Sequence, residues 1–347
     1  MTHTYSKQRL RRFLNSCTII SASMVLIAIV AVVVTGMRVH VAGFPESLGN
    51  SSDNIGHIKS ATDPNEFTFI VVGDVKGGIA TFEAMLEIIQ ADKPAFGVIL
   101  GDFVGHTKLI SHKLFAMEMA EHARNFPMLI IPGNHDISTE GPFRLEDFEN
   151  TYGPAQFSFT IGKSLFVFLN VISPYGQTGQ YLEFLEQAIT GRTEKMERIF
   201  VFMHIPPSGL NSSLMCNELP ESEKFLQLTK KYHIDYVFAG DHHGYVKTKR
   251  DGTTFIVTGG GGARLRGKHG KFHHLMRMSV KNGMIDEAVI ATKRQLETSE
   301  LMERNIVVYI WPLIARNSAS VAVTFVIFSS ATGLLIFSLF RRKRLEK

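Results

Sequence analysis

Five short apolar runs, 67–72, 96–100, 128–131, 199–203 and 236–239, have the length and the β-branched or aromatic content of buried strands. Stretches with helical spacing lie between them. In 79–90, Phe82, Met85, Leu86 and Ile89 share one face, and 109–125 has a similar pattern. Strand alternating with helix predicts an α/β sheet with helices packed outside. Met276, Met278, Phe166 and Phe168 alternate as strand residues and read as core. Asn282-Gly283, between apolar-alternating 275–281 and 284–290, predicts a tight hairpin.

Two longer apolar stretches flank this pattern. Residues 18–37 carry no charge and are long enough to cross a hydrocarbon core of about 30 Å. Lys7, Arg9, Arg11 and Arg12 precede them, which places that end in the cytoplasm. A cleaved signal peptide is the competing reading, and the uninterrupted length favours an anchor. Residues 318–340 form a second charge-free stretch, closed by Arg341, Arg342, Lys343 and Arg344. The pattern predicts two transmembrane helices in an integral protein of the cell membrane, with both termini cytoplasmic and the intervening domain extracytoplasmic.

The expected organisation is a basic tail (1–17), a membrane helix (18–37), a linker (38–65), one large domain (66–292), a second linker (293–317), a second membrane helix (318–340) and a basic tail (341–347). The formal charge is +5, and the basic residues of the two tails exceed that whole excess. The middle of the chain is therefore net acidic, and nothing in its charge supports nucleic-acid binding. Cys17 and Cys216 are the two cysteines, and with Cys17 at the first apolar stretch the domain has no internal disulfide pair. Asn50-Ser51-Ser52 and Asn211-Ser212-Ser213 fit the glycosylation sequon.

Each predicted strand ends on a polar motif: Gly73-Asp74, Gly101-Asp102, Gly133-Asn134-His135-Asp136, His204, and Gly240-Asp241-His242-His243. Polar groups at the C-terminal ends of neighbouring strands converge, and carboxylates, an amide and imidazoles brought together this way are metal ligands by chemistry. The order and spacing resemble the calcineurin-like metallophosphoesterase family over about 66–291. The family pattern runs Asp-x-His, Gly-Asp-x-x-Asp, Gly-Asn-His-Asp/Glu, His, and Gly-His-x-His.

The resemblance implies a metallophosphoesterase-type β-sandwich flanked by helices in α-β-β-α layers. It also implies two divalent metal ions, of Mn, Fe, Zn or Mg. Asp74 and His243 would hold the first, Asp102 would bridge both, and Asn134 and His204 would hold the second. His135 would assist the leaving group as a catalytic residue, with Asp136 fixing its tautomer. The implied activity is hydrolysis of a phosphomonoester or phosphodiester by metal-activated water. The expected partners are thus a phosphate-ester substrate and, through the two apolar stretches, the lipid bilayer.

Three positions depart from the pattern. Lys76 stands where the family has a metal-binding histidine, and an ammonium is a donor and a cation but not a ligand. It sits on a glycine-rich turn, with two readings open: a contact to a phosphate or a solvated lysine on a tight turn. Gly105 stands where some relatives supply a replacement ligand, and His106 follows it. Asp241 replaces the first histidine of Gly-His-x-His, keeping a metal ligand while favouring harder cations. These changes sustain a rival reading in which the domain keeps the fold as a binding or scaffold module. Thr258 to Gly262 reads as a mobile turn, and Arg264, Arg266 and Lys268 as a solvated loop.

Overall fold

The structure is a computed structural model and describes residues 2–172, 179–211, 213–266, 270–293, 295 and 298–317. The chain separates into two compact units. One joins Met1–Val41 to Leu301–Lys347, and the other is Ala42–Glu300.

The larger unit is built on two mixed sheets. The first contains β1 (Glu66–Val72), β2 (Phe96–Ile99), β3 (Met128–Ile130), β10 (His273–Lys281) and β11 (Met284–Thr292), in the order β11-β10-β1-β2-β3. The second contains β4 (Phe157–Ile161), β5 (Ser164–Phe168), β6 (Arg198–Phe202), β7 (Tyr236–Ala239), β8 (Tyr245–Arg250) and β9 (Thr253–Thr258), in the order β4-β5-β6-β7-β9-β8. β1, β2 and β3 run parallel, as do β5, β6, β7 and β9. Antiparallel strands complete both sheets: β10 and β11 in the first, β4 and β8 at the ends of the second. Asn282 and Gly283 make the β10–β11 turn at φ 48° and 75°, as a two-residue hairpin with a right-handed twist requires.

Phenylalanines fill the space between the sheets. Phe69 of β1 lies 5.3 Å from Phe96, 5.5 Å from Phe166 and 5.3 Å from Phe200, ring centre to ring centre. Met276 and Met278 join this core, fully buried. The helix Ile79–Asp92 buries Phe82, Met85, Leu86 and Ile89 in a second apolar cluster. Phe115 and Met119 of Leu109–His122, and Tyr181 and Leu185 of Gln180–Thr190, belong to the same cluster. Apolar residues fall on both faces of the parallel strands because the phenylalanine layer covers one face and the helices the other.

The fold is therefore α/β, with two mixed sheets flanked by helices. The expectation of two transmembrane helices is corrected. Among the described residues a single segment, Ser23–Val41 within the helix Thr2–Val41, is long and apolar enough to cross a membrane. The other expected span, 318–340, and the tail 341–347 lie outside the described residues. In the smaller unit, Ile20, Met24, Ile27, Val34 and Met37 are exposed on that helix. A side chain at Gly36 would collide with the ring of Trp311, so the glycine admits the close approach of the segment Trp311–Arg316.

Residues 38–65 are not a plain tether. Leu48 is buried and bridges to Met128, extending the sheet beyond β3. Ser51 caps the helix Ser52–Ala61 by accepting the Asn54 N–H. Asn50 is 1% exposed, and its side chain is committed to Ile130 and Pro154 through three hydrogen bonds of 2.6–3.0 Å. That sequon is a packing residue in the folded chain. The other includes Ser212, outside the described residues. Residues 293–317 also carry helices, at Thr298–Asn305 and Trp311–Arg316.

Candidate functional site

The parallel strands β1, β2 and β3 end on one edge of their sheet, and β6 and β7 end correspondingly in the other. Asp74, Asp102 and Asp241 each follow the glycine after a strand and adopt left-handed backbone, with φ of 57°, 54° and 63°. A non-glycine residue in this region carries about 1–3 kcal/mol of strain, and three together mark a site the surrounding fold must enforce. Each turn is held by specific bonds. The Asp74 N–H donates to the Gly101 carbonyl at 3.2 Å, and the Asp241 N–H donates to Asp74 Oδ2 at 2.9 Å. A side chain at Gly133 would fall 2.4 Å from Asp102, so glycine there is what allows the two loops to meet.

The predicted ligands come together. Asp74, Asp102 and His204 are fully buried, with candidate ligand atoms within 4.8 Å of one another. His204 donates its Nδ1 hydrogen to the Leu100 carbonyl at 2.6 Å, which leaves Nε2 as the coordinating nitrogen. That nitrogen lies 3.1 Å from Asn134 Oδ1, 3.5 Å from Asp102 Oδ1 and 3.9 Å from Asp241 Oδ1. His243 is held in the same way, donating from Nδ1 to the Arg264 carbonyl at 2.8 Å and turning Nε2 inward, 3.4 Å from Asp74 Oδ1. Both Nε2 of His243 and Oδ1 of Asp74 are buried without a hydrogen-bond partner. Two orphaned ligand atoms facing each other fit a cation between them.

Electrostatics agree with that fit. Burial alone would depress His204, but Asp102, Asp74 and Asp241 raise it to about 9. So much negative charge around one imidazole favours a cation at that point, a proton or a metal ion. Burial opposes ionisation of Asp102, and His204 and Lys76 together overcome it and lower its pKa. Lys76 is ion-paired with Asp102 Oδ2 and its side chain is 12% exposed. Its backbone N–H also donates to the Asp102 carbonyl at 2.9 Å.

The catalytic pair departs from expectation. Asp136 does not orient His135. It is fully buried and accepts the N–H groups of Asp102 at 2.6 Å, Gly133 at 2.7 Å and Val104 at 3.0 Å, tying the second and third motifs together. Burial and the charge of Asp102 push it up to about 8, against the pull of those donors. The His135 ring instead bonds the Gly105 carbonyl, while its backbone N–H donates to Asp102 Oδ1 at 2.9 Å. Partial burial lowers the His135 pKa, and Asp102 opposes that shift. His106 is exposed.

Other residues of the site carried no sequence signal of their own. Asn217 donates to both oxygens of Asp241, from its backbone and from Nδ2 at 3.1 Å. It lies in an aperiodic loop. His112 is buried under the third motif, donating from Nε2 to the Asp136 carbonyl at 3.0 Å and accepting from Tyr152 Oη at 3.1 Å. Gly259 corrects the reading of a mobile turn. It is buried, and a side chain there would meet the His242 carbonyl at 2.2 Å and Asp74 Oδ2 at 2.5 Å. Such a run of glycines after a strand was the visible sign of close backbone packing. Arg264 and Arg266 are exposed beside His243, and Lys268 lies outside the described residues.

The described residues contain two separate clusters of acidic and histidine side chains able to coordinate a divalent cation. Asp74, Asp102 and His204 form one, and with Asn134, Asp241 and His243 they offer donors for a binuclear centre. Glu83, Glu118 and His122 form the other, on the helices Ile79–Asp92 and Leu109–His122.

Known proteins are similar to part of this chain. Rat (Rattus norvegicus) serine/threonine-protein phosphatase CPPED1 is 24% identical over 219 residues, 54% of this chain and 64% of its own length. The human (Homo sapiens) protein of that name is 30% identical over 132 residues, 33% of this chain and 40% of its own. The chain thus spans less than two thirds of these relatives. Among solved structures, the purple acid phosphatase PPD1 of yellow lupin (Lupinus luteus) superposes with a TM-score of 0.52 at 16% identity, covering 66% of this chain and 53% of that one. A dimetal phosphatase from Danio rerio gives 0.51 at 13% identity, covering 67% of this chain and 97% of that one. These two likenesses concern the fold. Residues 67–245, which hold every polar motif described above, match the calcineurin-like phosphoesterase family, and the chain belongs to it.

Proposed function

We propose that this chain is a metal-dependent phosphoesterase held at a membrane by its N-terminal helix and acting on a phosphomonoester or phosphodiester outside the cytoplasm. The observation that carries the reading is the pair of orphaned buried atoms, Asp74 Oδ1 and His243 Nε2, beside Asp102 and His204. Asp74, His243 and Asp102 Oδ2 would hold one ion; Asp102 Oδ1, Asn134, His204 and Asp241 would hold the other. Divalent ions bound there supply the positive charge that polarises a phosphoryl group and acidifies water.

The residues of the chain do the rest. The Leu100 and Arg264 carbonyls engage Nδ1 of His204 and His243, so that both turn Nε2 inward as the atom that would bind an ion. Asp136 holds the loops carrying Asp102 and Asn134 in register through three N–H groups. His135, partly exposed and bonded through its backbone N–H to Asp102, would serve the leaving group. Orientation rests on Lys7, Arg9, Arg11 and Arg12, which precede Ser23–Val41 and favour the cytoplasmic side, leaving the domain that follows outside.

The test is metal analysis of the purified chain together with hydrolysis of a chromogenic phosphate ester. Asp102→Ala and chelation should each abolish turnover, and full activity in either sinks the reading. Protease added to intact cells should digest the domain; a protected domain reverses the orientation. The ion pair of Lys76 with Asp102 favours the rival, a scaffold module without turnover. Uptake of two ions with turnover well above background excludes it.

A further inference from the structure

Asp102 has two oxygens in unlike surroundings. Oδ1 accepts the His135 N–H at 2.9 Å and faces His204 Nε2 at 3.5 Å, next to Asn134. Oδ2 is paired with the Lys76 ammonium. A carboxylate that bridges two ions must offer one oxygen to each, and here one of the two already holds a cation.

The turn that carries Lys76 is fixed. Its N–H is bonded to the Asp102 carbonyl, Gly77 takes φ 73°, and a side chain at Gly78 would strike the Gly262 carbonyl at 2.2 Å. The backbone cannot withdraw, so the ammonium leaves Oδ2 only by rotation of its four-carbon stem. Once released, it remains next to the site with three donors suited to phosphate oxygens.

We propose that Lys76 is a displaceable cation: its ammonium holds Asp102 Oδ2 until a second divalent ion replaces it, after which it is free to contact the substrate phosphate. This rests on the metal-dependent reading above. The position at Asn134, His204 and Asp102 Oδ1 fills first. The position at Asp74 and His243 fills second and more weakly, because its ion competes with an ammonium already in place.

The experiment is equilibrium dialysis of the full chain in detergent against Mn²⁺, with bound metal measured directly. Wild type should bind in two steps differing by about tenfold or more, the ratio that corresponds to about 1.4 kcal/mol of competition. Lys76→Met should tighten the second step by a similar factor and leave the first unchanged. Lys76→His, which adds a ligand, should tighten it further, and it replaces Lys76→Met should that variant fail to fold by circular dichroism. Two equal steps in wild type, a wild type saturating at one ion, or a second step unchanged or weaker in the folded variants each overturns the proposal. A wild type that binds no ion overturns the metal-dependent reading itself.

Discussion

His112 supplies the prediction with the most direct sign. Its ring stacks on Phe143 at 3.8 Å, lies edge-on to Phe103 at 5.5 Å, and is bonded to Tyr152 and to the Asp136 carbonyl. Burial in this apolar box lowers its pKa from 6.5 to about 3, more than its hydrogen bond to Asp136 can recover. The unfolded chain takes up a proton below pH 6.5 and the folded chain does not, so stability is fully present above that pH and falls as pH falls towards 3. At about 1.4 kcal/mol per unit of pKa separation, the loss reaches about 1.4 kcal/mol at pH 5.5 and about 2.7 kcal/mol at pH 4.5. Such losses are a large part of the roughly 5–15 kcal/mol that holds a domain together.

His112→Gln is the informative variant, because glutamine keeps a donor for the Asp136 carbonyl but does not titrate. Urea unfolding of both proteins in detergent with a chelator, at pH 7.0 and 5.0, isolates the effect from metal uptake. Wild type should lose about 2 kcal/mol more than His112→Gln between the two pH values. Parallel losses, or a steeper loss in the variant, refute the assignment of His112 as a buried neutral histidine.

Other outcomes follow from the packing around the ligands. Gly259→Ala should destabilise the domain by about 1–3 kcal/mol, since its new methyl meets backbone and Asp74; a melting temperature equal to wild type contradicts this. Asn217→Ala, which removes the bond to Asp241 Oδ1 and keeps the backbone bond to Oδ2, should weaken metal uptake, a change measured by dialysis, and an unchanged isotherm shows that Asp241 needs no side-chain support. Saturation with a divalent ion at about a hundred times its dissociation constant should add about 2.7 kcal/mol of stability, reversed by chelation. A melting temperature indifferent to chelator excludes tight binding to the folded state.

The apolar runs announced the strands, because a strand covered on both faces has to be apolar throughout. The ranges 67–72 and 236–239 fall on β1 and β7, and the turn residues of the β10–β11 hairpin were equally visible. The same runs were silent on which strands pair, since β10 reaches β1 from two hundred residues away. The segment 38–65 was misread because its buried apolar residues, Val39, Leu48 and Ile58, and its buried amides, Asn50 and Asn54, make no period. Asp136 was assigned to its neighbour His135, whereas its partners are N–H groups on three other residues, two of them more than thirty positions back. Sequence adjacency carries no information about which way a side chain points.

Residue chemistry alone determined that carboxylates, an amide and imidazoles stand at the ends of apolar strands, and that Lys76 and Asp241 depart from the family pattern. These are properties of local composition and order, readable one motif at a time. Only the tertiary structure decided that Asp74 Oδ1 and His243 Nε2 face each other without partners, that Asn217 holds Asp241, and that the Lys76 ammonium rests on Asp102. Those facts depend on ångström distances between residues far apart in the chain, set where two sheets bring their strand ends together.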